Sequence, residues 1–104
     1  MSKAASLAIG LGILFWAAGA SAHTPLCSCY DLGDETILCE GGFSDGSSAS
    51  GVAMRVIGDD GEPIIEGAMD ANSEFEFDRP TGDFKVVFDA GPGHLIEIAS
   101  SDIH

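Results

Sequence analysis

From Gly51 to Phe88 the chain alternates between apolar and polar positions with a period of two. Val52, Met54 and Val56 share one parity, and Arg55 sits between them on the other. Phe75 and Phe77 oppose Glu74, Glu76 and Asp78, and Phe84, Val86 and Phe88 repeat the arrangement. Gly, Pro, Asp or Asn separates these runs. Alternation punctuated in this way predicts half-buried antiparallel strands. Faces this rich in Phe, Val and Met need a second sheet to cover them. The pattern therefore predicts an all-β fold, a small β-sandwich.

The same reading extends along the chain. Thr36–Glu40 is a short strand with Ile37 and Cys39 on one face, left through Gly41-Gly42 by a bulge. Val52–Ile57 and Ile64–Met69 form a hairpin around Asp60-Gly61, a tight-turn dipeptide. Arg79-Pro80-Thr81-Gly82 reads as a β-turn with Pro at its second position. Leu95–Ile98 is the last strand. His23–Tyr30 reads as an irregular arm, Asp45–Ser50 as a polar loop and Ala99–His104 as a tail. No convincing helix follows residue 22.

The start of the chain has a different character. Lys3 precedes an uncharged apolar run from Leu7 to Ala20, and Ala20-Ser21-Ala22 offers small residues to a signal peptidase. These features predict a secretory signal peptide over 1–22 and a single domain over 23–104. All 17 acidic residues follow Ala22, against Arg55, Arg79 and Lys85 alone, so the 23–104 segment carries 3 − 17 = −14. Such a surface excludes nucleic acid as a partner, since binding it requires clustered Lys and Arg. It attracts cations and basic partners. Membrane contact is expected only through an uncleaved signal segment, and the location is periplasmic or secreted. Export favours a disulfide among Cys27, Cys29 and Cys39. Cys39 bridges more easily to Cys27 or to Cys29 than those two bridge to each other. The odd count leaves one thiol free, metal-bound or paired between chains.

The order Gly51-Val52-x-Met54-x-Val56, Asp60-Gly61, Gly67-x-Met69-Asp70, Phe75-x-Phe77 and Pro80-x-Gly82-x-Phe84-x-Val86 resembles the carboxypeptidase regulatory-like, transthyretin-like domain. Met69 stands where Thr is usual, Ser73 replaces a turn glycine, and Phe84 replaces Tyr. The resemblance implies a seven-stranded Greek-key sandwich without catalysis by the domain itself. A second resemblance rests on Cys27-Ser28-Cys29-Tyr30-Asp31 and Asp89-Ala90-Gly91-Pro92-Gly93-His94. These segments are similar to those of small periplasmic proteins associated with nickel and cobalt uptake, which are often richer in His.

Cleavage after Ala22 makes His23 the first residue, whose α-amine and ring Nδ1 form a bidentate chelate. Imidazole suits copper, nickel and zinc. Pro25 lacks an amide proton and so disfavours the square-planar mode that uses successive backbone nitrogens. His94, after Gly91-Pro92-Gly93, is the second candidate ligand, and Cys27, Cys29 and Cys39 offer thiolates if reduced. Asp59-Asp60-Gly61-Glu62 supplies too few oxygens for calcium. Gly91-x-Gly93 is no phosphate cradle, because no helix pattern follows it. Ser47, Ser48 and Ser50 have no base partner. The expectation is a non-catalytic envelope protein that binds a divalent transition metal (nickel, cobalt or copper) as an accessory of an uptake system. Its partner would be a metal permease or another envelope protein. The alternative is a transthyretin-like interaction module without metal.

Overall fold

The computed structural model describes residues 23–104; the segment read as a signal peptide, 1–22, lies outside the described residues. Seven strands follow in order: β1 (Pro25–Asp31), β2 (Thr36–Phe43), β3 (Ala53–Gly58), β4 (Pro63–Ala68), β5 (Glu74–Asp78), β6 (Phe84–Asp89) and β7 (Leu95–Ala99). They make two antiparallel sheets, ordered β1-β2-β5 and β4-β3-β6-β7. Because β5 returns to β2 and β6 returns to β3, the chain crosses between sheets after β2, after β4 and after β5. These are the crossed connections of a Greek-key sandwich. Among the described residues, no helix is long and apolar enough to cross a membrane.

The core follows from the period-two pattern. Ile37, Cys39 and Phe77 of the three-stranded sheet meet Met54, Val56, Val86 and Phe88 of the four-stranded one, all buried. The Phe77 and Phe84 rings lie edge to face at 6.1 Å, and the Arg79 guanidinium sits 5.5 Å above the Phe84 ring. The sheets pack tightly at Gly41. A Cβ there would lie 2.7 Å from the Phe88 ring and 3.0 Å from the Met69 methyl, so only glycine lets β2 pass.

Three segments differ from the sequence reading. Pro25–Tyr30 is no irregular arm, because β1 pairs with β2 along its whole length, from Pro25 opposite Phe43 to Asp31 opposite Ile37. β2 does not leave the sheet at Gly41-Gly42 but continues through both to Phe43. The end of the chain, Ala99–His104, is no tail. Ser100–Asp102 forms a short 3-10 turn, and Ser100 Oγ accepts the Phe84 amide at 3.2 Å. Ile103 is buried in the core, and the His104 carbonyl accepts the Asp31 amide at 3.1 Å.

The turns match their residues more closely. Around Asp60-Gly61 the Gly58 amide donates to the Glu62 carbonyl at 2.8 Å, and Gly61 has φ 85°. Ser73, noted in place of a turn glycine, adopts a left-handed φ of 60°. This conformation is strained for serine, but its hydroxyl accepts the Ala49 amide at 2.9 Å and so ties the 48–50 loop to the β4–β5 turn.

Candidate functional site

The sandwich brings its two candidate histidines to one end. An open groove of about 270 Å³ is lined by His23, Phe43, Ser47, Ala90 and His94. Each wall is built locally. On one side, Thr24 and Ser44 bond reciprocally: the Thr24 amide donates to Ser44 Oγ at 3.0 Å and the Ser44 amide to the Thr24 carbonyl at 2.9 Å. The turn that follows presents Asp45. Asp45 Oδ1 accepts the Ser47 hydroxyl at 2.6 Å and the Ser47 amide at 3.0 Å, and its Oδ2 faces His23 Nδ1 at 2.8 Å. The Ser47 bonds, then the neighbouring His23 ring, hold the Asp45 carboxyl below its ordinary range.

On the other side, the β6–β7 loop presents His94. Asp89 Oδ1 accepts the Gly91 amide at 3.0 Å, and its Oδ2 accepts Arg55 Nη1 at 3.1 Å. The Gly91 bond, then Arg55, lowers the Asp89 pKa. The Ala90 amide donates to the His94 carbonyl at 3.0 Å and the His94 amide to the Gly91 carbonyl at 2.9 Å. This closed loop needs Gly91 and Gly93 at φ 108° and 78°. His94 Nδ1 lies 3.1 Å from the Pro92 carbonyl.

Both rings therefore have Nδ1 turned to an oxygen, carboxylate at His23 and carbonyl at His94. At His94 the carbonyl can only accept, which places the proton on Nδ1 and frees Nε2, the arrangement that orients imidazole ligands in metal sites. At His23 the Asp45 carboxylate is a close charged neighbour of Nδ1. The α-amine chelate read from the sequence uses His23 Nδ1 instead and requires that nitrogen to leave Asp45. Among the described residues, no group of three or more His, Cys, Asp or Glu side chains is arranged to hold a metal ion. Two other hollows, beside the β3–β4 turn and beside Arg79–Thr81, contain no His or Cys.

None of the three cysteines lines the groove. Cys29 and Cys39 stand directly opposite in β1 and β2 and form the disulfide, with Cα atoms 4.0 Å apart. Their sulfurs are consumed in that bond and offer no thiolate. Cys27 is free and half-buried, packed against the core. Burial pushes the Cys27 thiol from 9.0 up to about 11.

The thiolate fraction of folded Cys27 at pH 8 is then about one part in a thousand. Native protein should react slowly with iodoacetamide, and the unfolded, unreduced chain should expose one reactive thiol. Because folding raises this pKa, the stability it contributes is complete below the unfolded value of 9.0 and is lost as pH rises towards about 11. Rapid labelling of folded protein at pH 7, followed by mass spectrometry, would contradict this account.

Sequence reasoning missed Phe43, Asp45 and Ser47 as parts of the groove. The only available signal was the Asp45-Gly46-Ser47 turn chemistry, which predicts a loop and not its neighbours. No protein-family model matches the chain, and no curated protein or solved structure matches it either.

Proposed function

We propose that this protein is a non-catalytic, periplasmic or secreted metal-handling accessory, which captures a divalent transition metal for an uptake system through the imidazoles of His23 and His94. The observation that carries this reading is the shared groove: residues far apart in sequence line it together, His94 with its Nδ1 against the Pro92 carbonyl and His23 with its Nδ1 beside the Asp45 carboxylate. Two imidazoles suit nickel, cobalt or copper. The rest of the coordination sphere comes from water or from the receiving permease; the His23 α-amine joins it only in the other binding mode, in which Nδ1 leaves Asp45. Incomplete coordination suits a carrier, which must release what it binds. The acidic surface raises the local cation concentration, while selectivity rests on the nitrogen ligands. The disulfide supports an oxidising compartment.

Calorimetry with copper and nickel tests the reading on protein purified from its own envelope. His23→Ala and His94→Ala should each abolish tight binding. Asp45→Asn should weaken it by about 10- to 100-fold, because the carboxylate fixes the His23 tautomer. Affinity should fall on acidification, since only neutral imidazole is a ligand. A residue added ahead of His23 removes the α-amine chelate and so reports whether the amine belongs to the set. If native protein binds neither metal, or binds both unchanged after loss of both histidines, the interaction module without metal becomes the better reading.

A further inference from the structure

The outer face of the three-stranded sheet is divided in a way that neither the fold nor the groove requires. Across it, Tyr30 stands opposite Leu38 and Leu38 opposite Glu76. In the next row Ser28 stands opposite Glu40 and Glu40 opposite Glu74, and beyond that Leu26 faces Gly42. Leu26, Tyr30 and Leu32 are exposed at 51%, 43% and 49%. The β1 side is thus apolar, and the β5 side carries Glu74, Glu76 and Asp78 with Glu40 beside them. An edge strand ordinarily carries charge that deters pairing, yet the exposed side chains of β1 are Leu, Ser and Tyr. Glu40 directly opposite Glu74 is an unfavourable cross-strand pair. Among the described residues, Arg55, Arg79 and Lys85 are already paired, with Asp89, Asp31 and Glu97. None of the ion pairs reaches Glu40, Glu74, Glu76 or Asp78.

We infer that this face of β1, β2 and β5 docks a basic, amphipathic polypeptide segment of another protein, with apolar side chains on Leu26, Tyr30 and Leu38 and Lys or Arg side chains against the β5 carboxylates. The charge pattern selects this occupant. A second copy of the chain would set carboxylate against carboxylate, a juxtaposition that costs affinity. The incoming cations relieve the Glu40–Glu74 repulsion, and the apolar strip gains burial that solvent does not give it. The surface shares no residue with the His23–His94 groove, so side-chain variants on one leave the other's residues in place.

The test uses a synthetic peptide of about ten residues alternating Lys and Leu, with Lys-Ser and Glu-Leu peptides as comparisons. Binding is read by fluorescence anisotropy and by amide shift mapping. The Lys-Leu peptide should shift amides of β1, β2 and β5. Leu26→Ser with Tyr30→Ser, and separately Glu76→Lys with Asp78→Lys, should each weaken it by about tenfold or more. Asp59→Lys with Asp83→Lys makes the same change in net charge outside this face and should weaken it by less than about threefold. Equal losses from the two charge reversals would overturn the proposal, and so would equal binding of the Lys-Ser peptide or shifts confined elsewhere. Sedimentation that shows a dimer through this face would overturn it as well. The peptide comparisons need no variant to fold.

Discussion

Phe88→Ala should cost about 3–5 kcal/mol and leave much of the protein unfolded at ambient temperature. Phe88 is fully buried, on a strand hydrogen-bonded on both sides, opposite Met54 of β3 and Ile96 of β7. Its ring meets Phe43 at 6.1 Å and fills the space that Gly41 leaves open. Truncation removes contacts from both sheets where β2 passes beside the ring and has no side chain with which to fill the void. A small domain holds roughly 5–15 kcal/mol in all, and one of this size sits near the lower end. Urea unfolding followed by circular dichroism gives the measurement. Phe88→Leu, which keeps most of the volume, should lose less than about 1.5 kcal/mol. A Phe88→Ala midpoint equal to that of the native protein would mean that this ring does not join the sheets.

The strands from Ala53 to Asp89 were legible because polar residues punctuate their outer faces: Arg55, Glu76 and Lys85 mark the solvent side as Met54, Phe77 and Phe84 mark the core. β1 was not legible, for a physical reason that bears on function. Its outward residues are Leu26, Ser28 and Tyr30 and its inward ones Pro25, Cys27 and Cys29, so hydropathy does not alternate. The same exposed Leu and Tyr that obscured the strand form the apolar side of the proposed docking face. The Gly41-Gly42 pair misled in the opposite sense. Glycines inside a strand usually signal a bulge, whereas Gly41 is there because Phe88 of the opposite sheet needs the room.

For the groove, local sequence named the chemistry but not the geometry. His23 and His94 stand out as residue types, and the Gly91-Pro92-Gly93 loop announces a rigid presentation. That Asp45 would lie against the His23 ring depends on β1 pairing with β2, a non-local fact. The bridge shows the same division. Spacing narrowed the partner of Cys39 to Cys27 or Cys29, and the β1–β2 register decides between them, because it sets Cys29 directly across and places Cys27 opposite Gly41.

Cys29→Ala combined with Cys39→Ala should lower stability by about 2–3 kcal/mol, the chain entropy released when a loop of this length is no longer closed. The two cysteines are separated by 10 in sequence, a short loop, so the effect lies at the lower end of the usual disulfide range. The consequence is uneven across the fold. β3, β4, β6 and β7 keep their pairings, while β1 is held by β2, by the Asp31–Arg79 pair and by the Asp31 amide bond to the His104 carbonyl. Loss of the bridge should therefore appear first as faster amide exchange in β1. His23 and Leu26 are carried there, so metal affinity and peptide affinity should both weaken before the four-stranded sheet melts. Cys27→Ala serves as the control. It removes a half-buried thiol but no crosslink, and should cost less than about 1.5 kcal/mol. Hydrogen exchange on the double variant decides the matter: uniform acceleration in both sheets would mean that the bridge stabilises the whole sandwich and not the strand that bears the His23 arm.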